Sequence, residues 1–392
     1  MSLLTILHNL WRVMVRECGL LYRTPIYLFC MVIFPILCAF FFTTLLKEEV
    51  PVDLPIGIVD LDNSSTTRSL IRRLDGMPTT KIHGYYNSVA EARKAIQQNE
   101  IYGFLYFPKG LTDDLVANRQ PNVSYYYSNV SFTAGSMVYK DLKTIVTLTQ
   151  AGMAAAKLSA LGKTEHEISA FLQPIALDVH MLQNPVASYN MYLSPFTVPG
   201  MMMLFIFLIT TYSIGTELKF SRSKEWLRCA GDNIHVALVG KLLPQFLVYF
   251  IVIIAYETYM FGTLAFAHPG GVVRLLTLTV LAIIACQAFG TFMFGLMPSL
   301  RMSMSICSLW GMMQVSLCGA TFPVYAMHPM IEGMSWLFPL RHYYMTYQIT
   351  VFNGFPISSA YFHIMALVGF CCLPLLIMRK IKRAMLHYVY IP

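Results

Sequence analysis

The chain has 392 residues, 56% hydrophobic and 12% charged, with 25 Met, 26 Phe and a formal net charge of +8. That balance excludes an ordinary soluble enzyme and a disordered chain, and it points to a membrane protein. Charge is unevenly placed: residues 47–192 hold 13 of the 28 Lys/Arg and 14 of the 20 Asp/Glu, so this segment is polar and nearly neutral while the basic excess lies elsewhere. All nine cysteines fall outside it, so no disulfide staples it. Neither adjacent Cys371 and Cys372 nor the scattered His83, His166 and His180 have metal-ligand spacing, and no metal site is predicted.

At the start, Leu3, Leu7, Leu10, Met14 and Leu21 recur at helical spacing opposite His8, Asn9, Arg12, Arg16 and Arg23. This predicts a cytoplasmic amphipathic interfacial helix over 1–24, with Trp11 at the interface and Arg12 and Arg16 on its polar face. A break is expected near Pro25.

A helix of about 20 apolar residues, at ~1.5 Å rise each, covers a ~30 Å hydrocarbon core. Six segments qualify: Ile26–Leu46, Pro195–Gly215, Leu242–Phe266, Val273–Met297, Met302–Val324 and Tyr361–Met378. The first is too long for a signal-peptide core and ends in TTLLKEE without a small-x-small pattern, so it reads as a retained anchor. Fifteen Lys/Arg lie outside the polar segment, and placing the N-terminus inside puts all but Arg274 and Arg341 on the cytoplasmic side. The expected fold class is therefore an α-helical polytopic membrane protein of six transmembrane helices with a large external α/β domain between the first and second. Its parts are the first transmembrane helix at 25–46, the external, periplasmic domain at 47–193, and five further helices within 194–378. Those five enclose a cytoplasmic loop at 216–241 and an external helical segment at 325–360, and a cytoplasmic tail occupies 379–392.

Within 47–193 strand and helix signals alternate. Ile56–Val59 is an apolar run, and Asp62, Asn63 and Ser64 offer capping oxygens for a helix reaching Leu74. Ser88 and Glu91 have capping-box spacing ahead of a helix to Gln98. Strands are predicted at Tyr102–Phe107 and Val123–Tyr127, a short helix at Thr112–Asn118, and a long helix from Phe132 to Leu161 closed by Gly162. Such alternation favours an α/β layer with a mixed or parallel sheet. Asp60, Asp62 and Asn63 lack the later glycine and glutamate of a calcium loop, so helix capping accounts for them better. No catalytic set is found.

Between the second and third spans, Glu217, Lys219, Arg222, Lys224, Glu225 and Arg228 crowd into twelve residues. A membrane surface accounts for the basic side chains. The two glutamates point to a protein partner instead. Here Glu217, Lys219, Glu225, Trp226 and Leu227, followed by Gly240-Lys241-Leu242-Leu243-Pro244, match a cytoplasmic motif. In it the sequence resembles permease subunits of the type-2 ATP-binding-cassette exporters, in their drug-resistance and tripartite-efflux branch. The Gly-Thr pair of that motif is replaced by Ser221 and Arg222. GIVDLDNSSTTRSLI, YGFLYFPKGLTDDL and SWLFPLRHYYMTYQITVFNG extend the likeness over nearly the whole chain.

The resemblance implies a permease that forms half of a translocation pathway in the bacterial inner membrane, with both termini cytoplasmic. It implies a second permease chain, as homo- or heterodimer, and separate ATPase subunits that hold ATP and Mg2+. This chain has no cofactor of its own: Gly240-Lys241 lacks the upstream glycine and following Ser/Thr of a phosphate-binding loop. Glu217, Lys219, Arg222, Lys224, Glu225, Trp226, Leu227 and Arg228 are the candidate ATPase-coupling residues, together with the N-terminal helix. The external domain is a candidate dock for a periplasmic adaptor.

Glu257 is the one acidic residue placed within a span. A carboxylate there costs about 2.5 kcal/mol or more, so a pathway role and a place near the external headgroups both stay open, with Tyr256 and Tyr259 as candidate hydrogen-bond partners. Gln287 and Gln314 either bond between helices or line the path, bonding being the simpler reading. Pro323, Pro329, Pro339 and Pro356 break the segment before the last span. The resemblance implies two short external helices there, near an exit gate, with Arg341 and His342 at the outer rim. Trp336, Tyr343, Tyr344 and Tyr347 read as interfacial anchors. Two rival readings are a membrane-anchored sensor with an external ligand-binding domain, which lacks a sizeable inside effector, and an intramembrane enzyme, which lacks polar catalytic residues.

Overall fold

The computed structural model describes residues 3–47, 50–117, 119–175, 178–180, 184 and 187–388. The chain divides into two compact units, Met1–Lys47 with Leu182–Pro392, and Glu48–Met181. In the first unit α1 spans Leu3–Arg23 and stops at Thr24, whose backbone is extended. Helix α2, Pro25–Leu45, then starts on Pro25, which has no N–H to leave unpaired. Within α2 a π turn at Phe29–Ile33 precedes Pro35, where an α-helical bond is missing in any case.

The second unit is a four-stranded mixed sheet with helices on both faces. Its elements are β1 (Leu54–Asp60), α3 (Ser65–Asp75), β2 (Thr80–Tyr85), α4 (Val89–Gln97), β3 (Gly103–Phe107), α5 (Leu111–Val116), β4 (Ser124–Tyr127), α6 (Phe132–Ala160) and α7 (Glu165–Leu172). Strand order is β2-β1-β3-β4, with β1 parallel to both neighbours and β4 antiparallel to β3. Central β1 is covered on both sides, so its apolar run is nearly continuous. Ile56 and Ile58 pack with Leu74, Leu105, Val138 and Leu142 on one face, and Val59 packs with Ala92, Ala95 and Phe104 on the other.

The capping reading is correct in kind and differs in detail. Ser64 caps α3 by accepting from Thr67 N, while Asp60 accepts from the N–H groups of Asp62 and Asn63 and from the Thr67 hydroxyl. Asp62 accepts from Thr112 Oγ1 at 2.6 Å, which holds its carboxyl below the usual range. Ser88 caps α4, but Glu91 reaches back to Asn87 N rather than to Ser88. Two elements were not expected. Strand β2 carries no apolar alternation, because of its residues only Thr80 is buried. Helix α7 follows a Thr164–Glu167 capping box.

The first unit continues with α8 (Tyr189–Lys219), α9 (Ser223–Cys229), α10 (Ile234–Thr263, its last turn a π turn from Tyr259), α11 (Val272–Leu296) and α12 (Leu300–Leu317). It ends with α13 (Pro329–Ser335), α14 (Pro339–Thr346, continued by a π segment over Tyr347–Phe352) and α15 (Tyr361–His387). Helix α8 is buried nearly all round, as a central helix must be, and packs against α11 and α12. The core gathers Phe196, Phe207, Phe289, Leu340 and Tyr344.

Among the described residues five helices are long and apolar enough to cross a membrane: Pro25–Leu45, Tyr189–Lys219, Ile234–Thr263, Val272–Leu296 and Ile357–His387. The expected fifth segment, Met302–Val324, differs. Its helix is the 18-residue α12, in which Arg301, four serines and Gln314 dilute the apolar residues, and it ends at Cys318. The last span, read from sequence as the shortest, is a 27-residue helix.

Gly311 lets α12 approach α8: a Cβ built there collides with the Leu204 side chain. Gly369 on α15 has open space instead. Gly311→Val is expected to cost about 1–3 kcal/mol through overpacking and to lower the thermal midpoint of the purified protein, whereas Gly369→Ala is expected to leave it unchanged or raised.

Candidate functional site

Where α1 meets the ends of α8 and α10, four charged side chains form one buried cluster. Lys241 of α10 is 1% exposed and bridges two carboxylates, with Nζ 2.7 Å from Glu17 Oε2 and 2.9 Å from Glu217 Oε1. Arg16 of α1 closes the far side, its Nη1 and Nη2 donating to Glu217 Oε1 and Oε2 at 2.7 and 2.8 Å. This paired geometry is the strong form of an arginine–carboxylate contact. Ser213 Oγ and Gln245 Nε2 each donate to Glu17 Oε1 at 3.0 Å, and Gln245 also donates to Ser213. Two cations and two anions leave the cluster neutral. Burial works against the Arg16 charge, but hydrogen bonding to and attraction by Glu217 outweigh it, so its pKa lies above the ordinary arginine value.

The sequence explains how α1 comes so close. Gly240, next to Lys241, has no Cβ, and one built there meets Val13 at 2.8 Å and lies 3.3 Å from the Leu10 carbonyl oxygen. The Gly-Lys pair thus supplies the approach and the charge together. On α1 the residues turned inward are Asn9, Val13 and Glu17, four apart, so a polar residue and a carboxylate lie on the protein-facing side. The amphipathic assignment is corrected accordingly. Arg16 points into the protein, whereas Trp11 and Arg12 are exposed, and Leu10, Met14 and Leu21 are partly covered while Leu3 and Leu7 are not.

Above the cluster sits the short helix α9. Trp226 is fully buried, with Lys241 Nζ 5.3 Å from its ring centroid, and Leu227 is buried beside it with Ile214 and Leu218. Both ends of α9 are fixed. Arg222 N donates to Glu217 O and Ser221 N to Leu218 O, a Schellman closure of α8 with Ser221 at φ 55°. The tight turn that the missing glycine put in question is therefore present, made by serine. At the other end Asp232 N donates to Leu227 O and Gly231 N to Arg228 O, and Asn233 then caps α10 by accepting from His235 N. Ser223 Oγ donates to Met385 O at 2.7 Å and Lys382 Nζ to Asp232 O at 2.6 Å, which ties α9 to α15.

The eight residues grouped from sequence thus separate into two sets. Glu217, Trp226 and Leu227 are interior and have no face left for a partner, while Lys219, Lys224, Glu225 and Arg228 are exposed and Arg222 is half-buried. Phe220, which sequence reasoning passed over, stands 56% exposed between Lys219 and Arg222, whose cations lie 5.6 and 5.2 Å from its ring.

The remaining candidates are dispersed. Gln287 donates to Leu242 O at 3.0 Å and Gln314 to Gly200 O at 3.3 Å, so both bond between helices. Glu257 is bonded by the Thr279 hydroxyl rather than by Tyr256, which donates to Ser194 O. Arg341 and His342 are buried rather than at an exposed rim: Arg341 donates to Glu332 O, and His342 lies between Trp336 O at 2.9 Å and His363 Nδ1 at 3.1 Å. Burial pushes His342 down to about 4, so near pH 7 it is a neutral ring. Tyr343, Tyr344 and Tyr347 are core residues and not interfacial anchors, because α14 packs between α8, α11 and α15.

The family profile described as ABC-2 family transporter protein matches residues 25–379. The chain therefore belongs to that family, and it is a multi-pass membrane permease component of an ABC transporter. A comparison with curated proteins returns no match.

Removing one partner from a buried ion pair leaves an uncompensated charge and costs about 3–5 kcal/mol. Lys241→Met and Glu17→Gln are each expected to destabilise the protein by that order. The pair of substitutions together is expected to cost clearly less than the sum, in a double-mutant cycle read by thermal unfolding.

Proposed function

We propose that this chain is half of the translocation pathway of an ATP-driven exporter, moved by a separate ATPase that grips the exposed face of α9. The observation that carries this reading is the pairing of an outer charged face, Lys219, Lys224, Glu225 and Arg228, with an inner socket of Trp226, Leu227 and the Lys241 cluster. A push on the outer face reaches α1, α8, α10 and α15 at once, because each is bonded or packed to α9 or to the cluster beneath it. Packed elements with fixed ends transmit displacement rather than absorb it.

In this reading the coupling face lies in the cytoplasm with both termini, which the distribution of basic residues supports. The unit 48–181 lies outside, in the periplasm of a bacterial inner-membrane protein, and docks an adaptor. Helix α12 is the fifth of six spans, protected from lipid on the side packed against α8. A second permease chain completes the pathway, and ATP with Mg2+ belongs to the ATPase pair. The efflux reading rests on the likeness of the sequence phrases around Glu217, Gly240 and Ser335.

Exposed charges are the direct test. In the assembled complex, Lys224→Glu with Arg228→Glu is expected to reduce copurification of the ATPase at least tenfold and to remove stimulation of ATP hydrolysis, with the thermal midpoint of the permease unchanged. Undiminished copurification and export with these charges reversed contradicts the proposal.

A further inference from the structure

Glu257 lies on α10 two residues before the π turn at Tyr259–Thr263, and its side chain is buried. Its hydrogen bond comes from the Thr279 hydroxyl, and among the described residues no Lys, Arg or His forms an ion pair with it. A buried carboxyl without a cationic partner either holds a proton or takes a cation from outside. The titratable groups within electrostatic reach of it are phenols: Tyr256 on α10 itself, and Tyr343 and Tyr347 on α14 and its π extension. Arg274, on the same helix as Thr279, is engaged elsewhere, with Nη1 on the carbonyls of Thr350, Gly354 and Phe355. From α8, Ser194 and Asn190 are polar but uncharged and bond to each other.

Three further features converge here. Among the described residues the buried Tyr347 hydroxyl has no hydrogen-bond partner, nor does Thr346 Oγ1. A largely apolar cavity of about 20 Å³ lies beside Thr279 and Tyr343, with Met202 and Met203 in its wall. Both helices that bring the carboxyl and the phenols together change to π geometry at this level, over Tyr259–Thr263 and Tyr347–Phe352. Such segments are rare and recur at functional sites. Methionines at the cavity add a wall that repacks around ligands of different shape.

We propose that Glu257, with the aromatic faces of Tyr256, Tyr343 and Tyr347, forms a recognition site for lipophilic organic monovalent cations, which enter in exchange for the carboxyl proton. A carboxylate supplies the countercharge and tyrosine faces supply cation–π attraction, and together they select charge without demanding one shape. The exchange balances: the O–H bond of the carboxyl breaks, the proton leaves to solvent, and the bound cation replaces its charge. In the conformation described the cavity is closed to anything larger than water, so entry requires α10 and α14 to part. The inference rests on the exporter reading and names the substrate class for its pathway.

The test is binding of tetraphenylphosphonium, whose charge does not titrate, to the full chain in lipid nanodiscs with empty discs subtracted. No ATPase is present, so failure here is distinct from failure of coupling. The expected result is affinity at least tenfold weaker at pH 5 than at pH 8, and Glu257→Gln binding at least tenfold weaker than the native chain at pH 8 with a flat pH profile. The neutral probe triphenylphosphine oxide is expected to bind both alike. As a measurement on the native chain, dicyclohexylcarbodiimide, which modifies protonated buried carboxyls, is expected to label Glu257 and to be slowed at least threefold by saturating tetraphenylphosphonium. Equal affinity and equal pH dependence in Glu257→Gln, or labelling unaffected by the cation, overturns the proposal.

Discussion

The packing of α1, α8, α9 and α10 turns on the electrostatic neutrality of four buried charges. Glu217 stands in the last turn of α8, and Glu17 stands toward the C-terminal end of α1. At the end of α8 the Glu217 carboxylate opposes the helix dipole, and desolvation penalises both carboxylates. Lys241 and Arg16 are what make them tolerable, and neither cation tolerates burial without the carboxylates. Each charge is therefore a condition for the other three, because losing one leaves another buried and unpaired.

That cluster decides what the neighbouring elements can do. Trp226 lies over Lys241 and fills the space beneath α9, so the short helix is seated from below, while its two Schellman closures fix where it begins and ends. Its outer face is left to solvent with charges of both signs. The deeper core has a different character. There the packing is largely apolar, helices carry prolines at Pro195, Pro199 and Pro374, and π segments interrupt α10 and the end of α14. One part of the membrane unit is thus pinned by charge, and the other is interrupted by prolines and π segments.

Much of this was legible in the sequence, and the exceptions have physical reasons. Runs of apolar residues announced the five helices long and apolar enough to cross a membrane, and Pro25 announced the break after α1. Ile56–Val59, Ser64 and Gly162 announced the strand, cap and helix end of the α/β unit. Glu257 was recognisable because a carboxylate in IVIIAYETYMFG has no ordinary reason to be there. The partner of that carboxylate was not, since Thr279 lies on another helix and periodicity says nothing of register between helices. Glu17 and Lys241 illustrate the same limit: the first was not singled out on the N-terminal helix and the second read as part of a motif, and only packing joins them. Glu217 and Trp226 were grouped with exposed neighbours because charge density along a loop does not report which side chains turn inward. Strand β2 was missed because an edge strand with only Thr80 buried carries no apolar alternation.

The central claim is that α1 and α9 move as one body because the buried charges join them. It is tested most directly by the distance between spin labels at Arg12 and Asp232, two exposed positions outside the proposed ATPase face, the second in the turn that closes α9, measured by pulsed electron resonance in the assembled transporter with and without bound ATP. The account predicts a narrow distribution whose mean is unchanged by nucleotide, and which broadens when Lys241 is replaced by Met. A mean that shifts with ATP in the native chain, or a distribution indifferent to Lys241→Met, contradicts it.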